Sequence, residues 1–325
     1  VKGAVAQLVV VAATQVWLSA WLLRPLTPPR SPVATTSGAP AREPWIDRTI
    51  LPPIARFGGS ALLVGLSSTL TLLILRSILV GKLGLSQNGI YQVCIGVSGL
   101  TMPLILNSIT ATVWPEIASK HKDSDAVGPM LGGIRLAFLL VTGISAAILV
   151  GSPIWVPLFY SPKFLPALDL LPFQFLGDYL RAAAWMFGIW LVPRDRLRPW
   201  VLFDVVYGVV LLAVFLLLVD RIGIRSVVYA YVAAHLSHAV LHYMLARRAL
   251  GFRLGKENAL LLGASMALLV GLTVLHPRNL IGVGIGGAAV VAWALLVVKP
   301  REWIALRDMA FRFLGRARPA AQPEG

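Results

Sequence analysis

Nine stretches of roughly twenty mostly apolar residues punctuate the chain, at 3–23, 54–79, 88–113, 129–151, 168–192, 199–219, 225–246, 258–275 and 280–298. A helix of about 20 residues rises about 30 Å, the thickness of a bilayer's hydrocarbon core. Lipid offers the backbone no hydrogen-bond partners, so a spanning segment must be a helix or part of a closed barrel. Barrel strands alternate apolar and polar residues over about ten positions, and runs such as 201–219 do not alternate. The sequence therefore predicts an all-α polytopic membrane protein with about nine transmembrane helices. Composition agrees. Of 325 residues, 57% are hydrophobic and only 13% charged, against about 25% charged in soluble domains. Such a chain is neither an ordinary soluble enzyme nor disordered.

The net charge of +15 would suggest nucleic acid in a soluble protein. Here the placement of the charges decides. With nine spans, the connections 24–53, 114–128, 193–198, 247–257 and 299–325 share one side and hold 19 Lys and Arg, whereas the other side holds six. The positive-inside rule makes the basic side cytoplasmic, and with it the carboxyl terminus. The excess charge is a topology signal and predicts no nucleic-acid partner.

Residues 3–23 are too long for a signal-peptide core and lack a small-residue cleavage site, so they read as a full span. Between Arg24 and Pro44 stand six prolines, among Ser and Thr. No helix runs through such a segment, which has the chemistry of a linker. It divides the chain into 1–23, the 24–53 cytoplasmic linker, a 54–249 unit, two additional spans within 250–298, and a 299–325 tail. In the tail, Trp303, Leu306, Ala310, Phe313 and Leu314 share a helical face opposite Arg312 and Arg316. That suits a helix lying in the cytoplasmic headgroup layer, and a simple stop-transfer anchor suits it equally. The first residue is Val1, and the chain reads as the carboxyl-terminal portion of a longer protein.

An ionisable residue within a span costs about 2.5–3.5 kcal/mol on insertion scales and is a functional candidate by default. Arg56, Arg76, Arg135 and Arg181 qualify, with Asp178 and Asp204. In 168–192, Gln174, Asp178, Arg181, Trp185 and Gly188 fall on one helical face. That stripe is either a structural ion pair between packed helices or the wall of a polar cavity. Arg56 and Arg76 stand where they could also snorkel to the two interfaces. Arg135 lies deeper, and Asp204 stands where it could pair with one of the arginines. Tyr231, His235, His238 and His242 share a face that reads as a polar packing or cavity face, or as a proton-responsive one. The i,i+4 pair His238 and His242 has neither an acidic ligand nor a cysteine nearby, so no metal is predicted. The same holds for cofactors: GVGIGG at 282–287 sits inside an apolar span with no preceding strand and reads as small-residue helix packing. Cys94, the single cysteine, reads as a buried packing residue. Pro103 predicts a kink in 88–113, a span whose later half carries Asn107. No Walker loop or GxSxG motif is present.

The order of these features resembles the Wzx-type polysaccharide-unit flippases of the multidrug/oligosaccharidyl-lipid/polysaccharide exporter superfamily. The resemblance runs over about 54–250, through LRSILVGKLGLSQNGIYQ, ATVWPEIASKHKD and KFLPALDLLPFQFLGDYLRAAAWMFGIWLVPRDRLRPWVLFDVVYGV. It rests on Gly177-Asp178, Arg181, Phe187-Gly188, Asp204, Arg76 and Pro115. It implies two six-helix lobes, with 3–23 ending a truncated first lobe and 54–249 forming the second, MATE-like one. The implied activity is transport rather than catalysis. An undecaprenyl-diphosphate-linked oligosaccharide, such as an O-antigen unit of lipopolysaccharide, would cross the bacterial inner membrane by alternating access. Arg56, Arg76, Arg135 and Arg181 would face the diphosphate, with Asp178, Gln174, Trp185 and Asn107 in the same cavity. Asp178, Asp204 and His235 would serve any ion or proton coupling. Membrane lipids and the polysaccharide polymerase machinery are the implied partners. A lipid II flippase, a multidrug exporter of the same fold and a membrane-bound sugar-polymer ligase are the competing readings. The ligase would need a large outer loop, and an exporter a more acidic cavity.

Overall fold

A computed structural model describes residues 51–277 and 279–303. The span 3–23, nearly all of the linker 24–53 and the tail beyond Trp303 lie outside the described residues. Among those described there is no strand, in agreement with the all-α reading. Eight of the nine apolar stretches fall in this region, and each has a helix at its centre.

The first element, α1 (Leu51–Ala118), is 68 residues long and is broken at Gly84, where φ is 85° and ψ 168°. Left-handed φ is open to glycine and strained for other residues. The break folds the two arms, 51–83 and 85–118, back on each other. Arg76 donates to Gln92 Oε1 at 2.5 Å, yet 16 residues of continuous helix would hold them about 24 Å apart. The α1 backbone leaves helical φ and ψ at Gly84, and Pro103 and Pro115 stand within helix.

Then follow α2 (Val127–Phe159), α3 (Leu171–Gly188), α4 (Leu197–Ile222), α5 (Arg225–Leu250), α6 (Gly255–Leu275) and α7 (Leu280–Val297). Short 3₁₀ turns at Asp123–Ala126 and Pro162–Asp169 precede α2 and α3. The stretch 168–192 is thus a shorter helix than its apolar length suggests. Pro172 opens α3, and the chain turns back after Gly188 through residue Asp195, which has φ 55°.

Five elements are long and apolar enough to cross a membrane by length and composition: α1, α2 with its preceding turn, α4, α6 and α7. The other two, α3 and α5, are the polar-striped helices, and they form the centre of the bundle. Phe175, Tyr179, Met186 and Trp190 around α3 are essentially inaccessible, so this helix meets protein where its neighbours meet lipid. It packs parallel to α5 in register. Gly177 lies against the Tyr231 ring and Gly188 against the His242 ring. The edge-on pairs Phe173–Tyr229 (4.7 Å) and Phe187–Tyr243 (5.4 Å) flank these seats. Both seats are three turns apart on each helix, which is what an in-register parallel pair requires.

The last two helices pack on α2. Tyr179 donates to the Leu262 carbonyl at 2.7 Å, and Trp293 Nε1 donates to Ser265 Oγ at 3.2 Å. Of the GVGIGG glycines, Gly286 touches Val150 and Gly282 touches Pro277, while Gly284 and Gly287 face open space. Polar contacts fasten this pair at both ends. At one end His276 Nε2 lies 3.2 Å from Asp169. At the other, Arg135 binds Glu302 and donates to the Val297 carbonyl at 2.9 Å. The Arg135 hydrogen bond holds the Glu302 carboxyl below the usual carboxylate range.

Candidate functional site

The two arms of α1, with α3, α4 and α5, enclose a cavity of about 450 Å³. That is within the usual range for a small-molecule site, about 300–1,000 Å³. From α3 come Gln174, Arg181 and Trp185; from α4 Trp200, Asp204 and Tyr207; from α5 Tyr231, His235, His238 and His242. The arms add Ser68, Thr71, Tyr91 and Ser98. The α3 and α5 stripes read from the sequence therefore face each other across one space.

Asp178 anchors the wall from behind. It is 0% exposed, and its Oδ1 accepts from Ser98 Oγ at 2.7 Å and from Tyr231 OH at 2.8 Å. An ionised carboxylate away from water needs such charge-assisted hydrogen bonds. Among the described residues no carboxylate comes within ion-pair distance of Arg181. Arg181 itself lines the cavity. Gln174 and His235 are 2% and 5% exposed. The His235 ring is held between Tyr207 (4.5 Å) and Tyr231 (4.4 Å). Trp185 is fixed by an Nε1 hydrogen bond to Thr110 Oγ1 at 2.9 Å.

The remaining candidates stand elsewhere. Arg56 pairs with Asp195 at an exposed end of the bundle. Arg76 is engaged by Gln92. Arg135 is committed to Glu302 and the Val297 carbonyl. Asn107 is exposed on a different face of its helix. None of the four lines the cavity. Asp204 lines it, but its partner is Ser68, 3.3 Å away, and not an arginine. The acids that neutralise Arg56 and Arg135 lie in a turn and past the last span, where a tally of intramembrane acids does not find them. Among the described residues no group of three or more His, Cys, Asp and Glu is arranged to hold a metal ion.

Sequence reasoning did not single out Ser98 or Tyr207, and Tyr91 entered it only through the resemblance, within the step Gly89-Ile90-Tyr91-Gln92. Tyr207 carried a signal, since it stands three residues after Asp204 and so on the same face. Ser98 carried none, because one serine in a glycine-rich helix cannot be told from a packing residue.

A helical membrane bundle around a mainly apolar cavity that bears an arginine is the class that this fold and site define. The comparisons with known proteins agree with a flippase in general terms. The chain is 21% identical over 194 residues to the lipid III flippases of Escherichia coli (strain K12) and Shigella flexneri. The match covers 60% of this chain and 47% of each relative, so the chain spans about half the length of these curated relatives. No family model and no solved structure matches.

Proposed function

We propose that the chain belongs to a flippase that carries a polyprenyl-diphosphate-linked oligosaccharide across the bacterial cytoplasmic membrane, with residues 54–249 forming one six-helix lobe. The observation that carries this reading is Arg181. It is an arginine inside a membrane bundle, beside a 450 Å³ cavity, without a carboxylate in ion-pair distance among the described residues. A forked guanidinium in a low-dielectric site suits a diphosphate, which offers paired anionic oxygens. Asp178 orients the wall around it through Ser98 and Tyr231. The cavity aromatics Tyr91, Trp185 and Tyr207 offer faces to sugar rings. The distant similarity to lipid III flippases supports a lipid-linked cargo. An O-antigen or other surface-polysaccharide unit is the cargo favoured in this reading. The basic connections would be cytoplasmic, 24–53 would link two lobes, and 299–325 would lie at the inner headgroup layer. Rocking of the lobes would alternate access to the cavity.

Deletion of the gene, complemented by full-length variants, tests this reading. Arg181→Ala at normal membrane abundance is expected to lower surface polysaccharide at least tenfold and to accumulate lipid-linked precursor. Arg56→Ala, remote from the cavity, is expected to stay within twofold. Normal polysaccharide from a well-expressed Arg181→Ala strain overturns the proposal.

A further inference from the structure

Three side chains in the cavity wall keep buried, unused hydrogen-bonding atoms: Trp114, through its Nε1 donor, and Gln174 and His235, which almost no solvent reaches. Gln174 Oε1, Nδ1 of His235 and Nε2 of His235 have no partner among the described residues, and the two residues are 2% and 5% exposed. Buried polar groups are nearly always paired, because an unpaired one costs about 1–3 kcal/mol. Both residues line the cavity.

The unused atoms define what would satisfy them. Gln174 Oε1 only accepts. A neutral imidazole has one N–H and one lone pair, so His235 both donates and accepts. A phosphate group has acceptors only and leaves Gln174 unsatisfied. An organic ammonium has donors only, leaves the His235 N–H unsatisfied, and meets the Arg181 cation. A prenyl chain offers neither. Hydroxyl groups donate and accept together. Around them stand Tyr91, Tyr207 and Tyr231, three aromatic rings for the apolar face of a pyranose.

We infer that Gln174 and His235, framed by Tyr91, Tyr207 and Tyr231, form a saccharide subsite that binds sugar hydroxyls separately from the diphosphate at Arg181. This deepens the proposed function and rests on it only for the assignment of the diphosphate. Cargo selection then has two independent parts, a charge-based hold and a neutral hydrogen-bonding one. A lipid diphosphate without sugar would engage only the first.

The test uses the full chain purified in lipid nanodiscs. Saturation-transfer NMR is recorded with glucose, mannose and N-acetylglucosamine, and with tetramethylammonium as the cationic comparison. At least one sugar is expected to give transfer that falls fivefold or more in Gln174→Leu and His235→Phe and persists in Arg181→Ala. Undecaprenyl diphosphate binding is expected to show the reverse pattern. Transfer from no sugar, transfer from the ammonium alone, or transfer unchanged in both variants overturns the subsite. If sugar binds and undecaprenyl diphosphate does not, the diphosphate reading fails while the subsite stands. Because either variant can misfold, a diazirine-bearing glucose is also photolysed with the unmutated chain. Adducts are expected on 174–185 and 231–242, and adducts confined to other segments overturn the assignment.

Discussion

The Tyr231 ring sits closely against Gly177, and its hydroxyl reaches the carboxylate of the next residue, Asp178, at 2.8 Å. One glycine thus lets two buried helices approach closely enough for a cross-helix hydrogen bond. The bond fixes both the carboxylate and the ring that forms part of the cavity wall. Three turns further along, Gly188 gives the His242 ring the same close seat. The α3–α5 pair is therefore a rigid frame, with Arg181 between its two seats.

Gly177→Ala should destabilise the protein, since a Cβ there would collide with Cδ1 of Tyr231 and Cε1 of Tyr231. Overpacking of this kind costs about 1–3 kcal/mol. Gly263→Ala on α6 meets nothing within 4 Å and gains helix propensity, so it should be neutral or slightly stabilising. Thermal unfolding of both variants in the same detergent checks the contrast. Equal melting temperatures would mean that the α3–α5 approach is looser than the Gly177–Tyr231 contact.

The spans were legible because lipid imposes one simple demand, about twenty apolar residues per crossing. The polar stripes on α3 and α5 were legible because helical periodicity places Gln174, Asp178, Arg181 and Trp185 on one face whatever surrounds them. Partner choice was not legible. Arg135 and Glu302 are 167 residues apart, and no local pattern links them. The fold-back at Gly84 was hidden for a related reason. Pro103 is the stronger helix breaker by chemistry, yet a proline inside a helix bends it while its neighbours stay helical. A glycine with positive φ ends the helical course and redirects the chain.

Gly84 offers the second contrast. Its φ of 85° is left-handed, and a Cβ there would meet nothing within 4 Å. With ψ 168° it lies in an extended region essentially restricted to glycine, so the penalty of Gly84→Ala is one of backbone conformation alone, about 1–3 kcal/mol. Gly81→Ala, equally open but helical, should carry none. Cysteines introduced at 76 and 92 report the fold-back. Their disulfide yield should fall in Gly84→Ala and hold in Gly81→Ala.

The Arg135–Glu302 contact should respond to acid. Its hydrogen bond lowers the Glu302 pKa in the folded state, so the pair contributes stability above the usual glutamate value of about 4.3. That contribution is lost as pH falls through the lowered folded value. The carboxyl is about a quarter exposed, so solvent screens the pair and the effect is modest. Glu302→Gln should weaken the pH response and leave the part owed to the Lys299–Glu257 contact, whose carboxyl is also lowered by its lysine. Limited proteolysis after residue 303, followed between pH 3 and pH 7, measures it. The unmutated chain should become more susceptible below about pH 4, and the variant should respond less steeply to acid. An unmutated chain with no acid response would show that Glu302 does not anchor this segment.

Asp178 supplies the sharpest energetic prediction. Its Oδ1 holds two neutral donors, Ser98 and Tyr231, and a hydrogen bond to a charged group contributes about 1.5–3 kcal/mol. Tyr231→Phe removes one donor and keeps the ring against Gly177, so its cost belongs to the carboxylate and not to packing. Ser98→Ala removes the other. If both donors serve one charge, the losses should be coupled: the double variant should differ from the sum of the single ones by at least about 0.5 kcal/mol. In Asp178→Asn the charge is gone, and Tyr231→Phe should then cost less than about 1 kcal/mol, the range of neutral hydrogen bonds. Denaturation of these five variants and the unmutated chain closes the two cycles. Tyr231→Phe costing the same with and without the Asp178 charge would show that the Tyr231 hydroxyl does not act through that charge.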